Sequence, residues 1–226
     1  MNKKFIAIEG LDGAGKSTQI KRLIDYVESK GHATKFVHFP RSNEGVFGKM
    51  IAQFLRGEFG DVKNVHPQLV ALLFAEDRKD FASTINSWLA DGNIVLVDRY
   101  VFSNMAFQCA KTDGEVAKQI LREWIIDFEY NYNRIPKPDL SIYLDVPFSF
   151  TKQSLNEKRD GDERAYLHGK DDIHEKDLSL QEAVRKEYAY LIKNEKDITA
   201  INCCDAKNNM RSIDAIHQEI IRHLGL

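Results

Sequence analysis

At 226 residues, with 43% hydrophobic and 29% charged residues, the chain is sized for a single domain with a substantial core. Its 32 basic and 34 acidic residues leave a net charge of -2; this excludes a general electrostatic grip on nucleic acid or an anionic membrane, so any phosphate site must come from local groups of Arg and Lys. No window reaches the length of an apolar membrane span, no apolar stretch of signal length opens the chain, and Cys109, Cys203 and Cys204 form no CxxC pair, so free thiols in a reducing cytoplasm are expected.

In chain order, Phe5 to Glu9 reads as a short buried strand running into a Gly-rich turn. Ser17 to Lys30 reads as a helix with Ile20, Leu23, Ile24 and Val27 on one face, ended by Gly31. Thr34 to Phe39 is a second strand, stopped by Pro40. Helical patterns cover Gly45 to Leu55 and Pro67 to Leu89, the second opening on a proline and closing near Gly92. Ile94 to Asp98 is an apolar strand, followed by helices over Phe102 to Lys111 and Glu115 to Tyr132. Leu140 to Asp145 is a further strand, with a helical stretch to Lys158. Residues 159 to 178 are charged and aperiodic and read as a mobile segment. Leu180 to Asn194 is helical, Thr199 to Asn202 a strand, and Ser212 to Leu224 a final helix. Strands alternating with helices imply a mostly parallel sheet covered on both faces.

Gly10-Leu11-Asp12-Gly13-Ala14-Gly15-Lys16-Ser17 matches G-x-x-x-x-G-K-[ST] between a strand and an amphipathic helix, with Thr18 next in line. Such a loop turns its backbone N–H groups onto phosphate oxygens, and the helix N-terminus adds partial positive charge. Lys16 is then expected at the β- and γ-phosphates of ATP and Ser17 on Mg²⁺. Asp98 ends a buried strand at the carboxyl edge of the sheet, where ligands bind, and is expected beside the metal. Asn194-Glu195-Lys196-Asp197 fails a guanine-type NKxD at its second residue, Asp98-Arg99-Tyr100-Val101 is not a DxxG switch, and LSGGQ is absent, which argues against a GTPase or an ABC ATPase.

Asp98-Arg99-Tyr100 followed by Ser103 and Ala106-Phe107-Gln108, together with Phe39-Pro40-Arg41, Leu73-Phe74-Ala75-Glu76-Asp77-Arg78 and Ile8-Glu9-Gly10-Leu11-Asp12-Gly13, resembles the thymidylate kinase family in composition and order. The resemblance implies a P-loop α/β fold with a five-stranded parallel sheet flanked by helices and a mobile lid, spanning 1–226 as one kinase domain with the lid at about 159–178. It implies transfer from ATP to dTMP, giving ADP and dTDP for the supply of dTTP, in a cytoplasmic homodimer. Phe74 would stack on thymine, and Arg78 and Gln108 would bond the base edge. Arg41 and Arg99 would hold the acceptor phosphate. Asp12 would contact the deoxyribose 3′-hydroxyl, with Tyr100 and Ser103 lining the pocket near Phe39 and Pro40. The chemistry is consistent: paired guanidinium forks suit a phosphate dianion, an aromatic face suits a pyrimidine, and Phe74 and Arg78 lie i, i+4 on one helix face.

Some members of the family carry Arg where this chain has Gly13; in those that lack it, basic lid residues serve ATP. Arg159 and Arg164 are therefore the expected lid cations. The cluster Asp171, Asp172, His174, Glu175 and Asp177 matches no standard metal-ligand spacing and reads as a solvated charge run. Asp205-Ala206-Lys207 is a candidate for the adenine edge.

Overall fold

The computed structural model describes residues 4–61, 64–156, 166–168 and 172–225. Arg159, Arg164 and Asp171 lie outside them.

Five strands, β1 (Phe5–Gly10), β2 (Thr34–His38), β3 (Ile94–Asp98), β4 (Leu140–Asp145) and β5 (Ile198–Asn202), form one all-parallel sheet in the order β2-β3-β1-β4-β5. The central strands are apolar at nearly every position because both faces are covered. Phe5 and Ala7 join Val95, Val97 and Tyr143 in one core layer. Ile6 and Ile8 join Leu96, Ile142 and Leu144 in the other. Helices α1 (Lys16–Ser29) and α9 (Ile213–Leu224) cover the second layer. The first lies under α3 (Pro67–Ala90), α4 (Val101–Cys109), α5 (Glu115–Ile126) and α8 (Leu178–Asn194). The remaining helices are α2 (Gly45–Leu55), α6 (Phe148–Asn156) and the single turn α7 (Ile173–Lys176).

Register does the functional positioning. Asp98, the last residue of β3, stands opposite Ile8 of β1 on one side and His38 of β2 on the other. The strand that feeds the glycine loop therefore delivers it beside Asp98.

The structure corrects two expectations. The helix read as Glu115 to Tyr132 is α-helical only to Ile126 and continues as a π-turn over Asp127–Tyr132. The wider coil shifts the residues that follow around the axis, and it brings Glu129 to full burial. Hydrophobic spacing cannot report such a change. The charge run at Asp172–Asp177 is not simply solvated: Asp172 and His174 are each only 5% exposed. Asp172 caps α7 by accepting from the N–H of His174 at 2.7 Å, and Asp177 caps α8 by accepting from Ser179 and Leu180 N–H at 3.0 Å. Short acids are favoured at helix starts because they satisfy orphan N–H donors. The same residues that look like a solvated run are here two caps in tandem.

Candidate active site

The glycine loop leaves β1 at Gly10 and enters α1 at Lys16, with Gly13 and Gly15 at φ 74° and 81°. No side chain caps α1, so its first-turn N–H groups are left for an anion. A Cβ at Gly13 would come within 2.7 Å of Ser154 Oγ on α6; the loop is packed against α6 at this position. Ser17 and Thr18 are exposed at the start of α1. The Lys16 ammonium donates to the Leu11 carbonyl at 3.1 Å and stands 3.8 Å from Asp98 Oδ1. Burial and the charge of Arg99 pull the lysine below its ordinary pKa, opposed by Asp98 and Asp12. Burial would raise Asp98, but Lys16 and His38 outweigh it and hold the carboxyl low. Its Oδ1 is buried and accepts no hydrogen bond among the described residues.

A second set of groups meets the loop from α4. Arg99 sits at φ 66°, a left-handed conformation that costs a non-glycine residue on the order of 1 kcal/mol and is held only where the surroundings demand it. Its backbone N–H donates to Ile8, and its guanidinium donates to Asp12 Oδ1 at 2.6 Å and to Ser103 at 3.1 Å. Arg99 and Lys16 overcome the effect of burial on Asp12 and hold that carboxyl well below the usual range. Glu9, fully buried, accepts from Ser103, from Tyr188 at 2.9 Å and from the Tyr100 N–H at 3.0 Å. Burial pushes its pKa up, and those three donors oppose the rise. Glu9 thus ties the end of β1 to the start of α4 and fixes where Arg99 begins.

The expected base site is assembled from α3 and α4. Phe74 is half-buried against the cluster of Ile51, Phe54, Leu55 and Val70. Arg78 is 2% exposed and bound by two parallel bonds, 2.5 and 2.6 Å, to Glu129 of the π-turn. Gln108 is buried, and its Oε1 has no partner among the described residues. Tyr100 is a core residue: its ring packs on Phe5 and Phe39, and its hydroxyl donates to the Pro136 carbonyl at 2.8 Å. Phe39 is buried and Pro40 partly exposed.

Arg41 is drawn elsewhere. Its guanidinium faces Asp77 at 3.0 Å, Asp80 at 2.9 Å and Glu44 at 3.6 Å, and stacks on Phe81. A Cβ on Gly48 would stand 2.0 Å from the Arg41 carbonyl, so that glycine is what lets the segment lie on α2. The structure therefore joins Lys16, Asp98, Asp12, Arg99 and Ser103 into one network and leaves Arg41 among the acids of α3.

Sequence reasoning missed several participants. Gln181 of α8 donates to Asp12 Oδ2 at 2.7 Å and to the His174 carbonyl at 3.0 Å; no local pattern connects residues 169 apart. The His174 ring stacks on Phe107 and meets Phe54 edge-on, and Tyr166 donates to Asp172 Oδ2 at 2.7 Å. Asn104 shares Glu129 with Arg78. Glu9 did leave a signal, an acid inside an otherwise apolar strand. A cavity of about 190 Å³ is lined by Gly15, Thr18, Phe150, Cys203, Met210 and Arg211; residues on either side of Asp205-Ala206-Lys207 line it, and the triplet itself does not. A larger cavity, about 410 Å³, lies between His66 and Trp124 and includes none of the loop residues.

Burial and the charge of Asp12 raise the Asp172 carboxyl to about 7, against about 3.9 in an unfolded chain. A raised acid favours folding below the unfolded value, and that contribution is lost as pH rises through about 7. Asp172→Asn, which keeps the cap, should therefore gain stability relative to the parent between pH 5 and pH 8, by on the order of 3 kcal/mol. Denaturant melts at the two pH values measure it; an unchanged difference would mean that Asp172 is ionised in the folded chain.

A parallel sheet with this cradle, and a carboxylate ending the adjacent strand, defines a P-loop phosphotransferase. A family model described as thymidylate kinase matches residues 8–220. A probable thymidylate kinase of Pyrococcus abyssi is 30% identical over 223 residues, spanning 98% of this chain and 95% of its own length. The thymidylate kinase of Mycobacterium tuberculosis is 32% identical over 187 residues, 83% of this chain and 85% of its own. The fold matches the solved structure of thymidylate kinase from Candida albicans with a TM-score of 0.70 at 24% identity, over 99% of this chain and 91% of that one. The chain belongs to the thymidylate kinase family.

Proposed function

We propose that this chain, acting as one kinase domain, moves the γ-phosphoryl group of ATP to a phosphate oxygen of dTMP, giving ADP and dTDP. The observation that carries this reading is the 2.6 Å bond between Arg99 and Asp12, which couples a phosphate cradle to a second cation where an acceptor phosphate would enter. The bond from the γ-phosphorus to the bridging oxygen breaks as the acceptor oxygen attacks in line. No covalent enzyme intermediate is needed, because positioning and charge neutralisation suffice.

In this account Gly10 to Thr18 wrap the donor phosphates, and the cavity by Phe150 and Arg211 takes the adenine. Lys16 follows the transferring group. Ser17 and Asp98 fit Mg²⁺: Ser17 is an exposed hydroxyl at the start of α1, and Asp98 has a buried carboxylate oxygen with no hydrogen bond among the described residues. Bound there, the ion would supply Lewis-acid neutralisation of the phosphate oxygens. Arg99 holds the acceptor phosphate; Arg41 joins it by exchanging acids of α3 for the phosphate. Asp12 orients Arg99 and faces the sugar. Phe74 stacks on the base, and Arg78, Gln108 and Asn104 meet its edge. Arg159 and Arg164 are the proposed lid cations.

Among the described residues no helix is long and apolar enough to cross a membrane, and the reading places the enzyme in the cytoplasm. It also includes a homodimer. Exposed Val116, Ile120 and Tyr132 follow the i+4 spacing of Trp124 and Phe128, and the last three rings stack at 5.0 and 5.3 Å. That stripe suits a second copy; sedimentation showing a single chain throughout the micromolar range would remove the dimer.

The acceptor reading predicts that the monophosphate is required. By calorimetric titration dTMP should bind at least about a hundredfold more tightly than thymidine, because charge-assisted bonds to Arg are each worth roughly 1.5–3 kcal/mol. Equal affinity for the two would contradict the acceptor-phosphate site.

A further inference from the structure

The π-turn buries Glu129 completely, and among the described residues every bond its carboxylate makes goes to a group proposed above to meet the base. Oε2 accepts from Arg78 Nε at 2.5 Å. Oε1 accepts from Arg78 Nη2 at 2.6 Å and from Asn104 Nδ2 at 3.0 Å. The second N–H of the Asn104 amide goes to the Ala71 carbonyl at 3.0 Å. Both amide hydrogens are thereby committed to acceptors. The amide is held by its nitrogen, and its Oδ1 is left buried with no partner among the described residues.

This arrangement cannot be reversed cheaply. An ionised carboxylate only accepts hydrogen bonds. Flipping the Asn104 amide would set Oδ1 against Glu129 and a carbonyl, two acceptors facing a third, and would leave Nδ2–H directed away. Arg78 is equally constrained. Its Nε and Nη2 are taken by Glu129, which leaves Nη1 without a hydrogen bond among the described residues. Guanidinium nitrogens only donate. The pair therefore presents one fixed donor, Arg78 Nη1–H, and one fixed acceptor, Asn104 Oδ1. A thymine or uracil edge offers the complement, an acceptor at O4 and a donor at N3–H. A cytosine edge offers the reverse, a donor at N4 and an acceptor at N3.

We propose that Glu129 is a positioning residue that sets base selectivity: by clamping Arg78 and locking the Asn104 amide in one orientation, it makes the site read a thymine-type edge and reject a cytosine-type edge. The proposal rests on the reading that Arg78 meets the base of the acceptor. Glu129 touches no substrate and acts only through the two residues it orients.

Glu129→Gln is the direct probe. Its amide has one oxygen and one N–H₂ group where the carboxylate has two acceptors, so it cannot satisfy Arg78 and Asn104 together. The Asn104 amide loses the reason for its orientation. The KM for dTMP should rise about tenfold or more while the KM for ATP and the kcat stay within about threefold. The preference for dTMP over dCMP in kcat/KM should narrow by at least about tenfold. A role in stability alone would move both KM values or neither and would leave the base preference untouched. Should that variant fail to fold, Glu129→Asp, which keeps the charge and withdraws it by one methylene, takes its place with the same expected split. Arg78→Ala is measured beside it. If Arg78→Ala raises the KM for dTMP and the Glu129 variant retains the parental KM and base preference, the positioning role is overturned and the base reading stands. If neither variant changes the KM for dTMP, the base reading has failed and the proposal with it.

Discussion

Lys16→Ala should lower kcat by at least about a hundredfold while the chain remains folded. Charge accumulates on the transferring phosphoryl oxygens, and a preorganised cation there is worth more than in water, so removing one such donor typically costs a hundredfold to a thousandfold. The fold should tolerate the loss. Lys16 lies at the first turn of α1, and among the described residues its side chain makes one hydrogen bond, to Leu11, beside its approach to Asp98; none of the apolar layers depends on it. Steady-state rates at saturating ATP and dTMP, with a thermal melt on the same sample, separate the two effects. Near-parental kcat would mean that the glycine loop does not carry the phosphates.

Arg78→Ala should show two large effects at once. Removing the guanidinium leaves the Glu129 carboxylate buried with only the Asn104 bond of its three described ones, and breaking such a pair costs about 3–5 kcal/mol. The same change takes the donor from the base edge, so the KM for dTMP should rise about tenfold or more with little change in the KM for ATP. Denaturant unfolding measures the first effect and initial-rate kinetics the second. Equal shifts in the two KM values would remove Arg78 from the base site. Because the pair is buried, activity is best measured well below the melting midpoint.

The features legible in the sequence are those whose chemistry is local. The cradle is eight contiguous residues with a strand before and a helix after, and Asp98 ends the most apolar strand in the chain. The i, i+4 spacing of Phe74 and Arg78 puts both on one face of a single helix. The three central strands read as apolar runs because both their faces are covered; the edge strands, Thr34–His38 and Ile198–Asn202, are less apolar and are marked by their place between helical patterns.

What stayed hidden depends on long-range pairing. Arg78 meets Glu129 across 51 residues, and Asp12 meets Gln181 across 169. The π-turn that buries Glu129 changes the coil without changing the hydrophobic spacing that announces a helix. Asp172 and His174 lie in a charged stretch, and only the packing of His174 on Phe107 and Phe54 shows why they are buried. The acids that hold Arg41 in this structure, Asp77, Asp80 and Glu44, are likewise not announced by its place in the chain, because sequence order does not say which of several opposite charges a guanidinium meets.

The most direct measurement is the fate of a labelled γ-phosphate. The protein is incubated with Mg²⁺, γ-labelled ATP and an equimolar panel of dTMP, dCMP, dGMP and thymidine, and the products are separated and identified by mass. Label is expected in the β-phosphate of dTDP, formed together with ADP and well ahead of any other diphosphate. Label released only as free phosphate, or found first in dCDP, in dGDP or on thymidine, would contradict the proposed function.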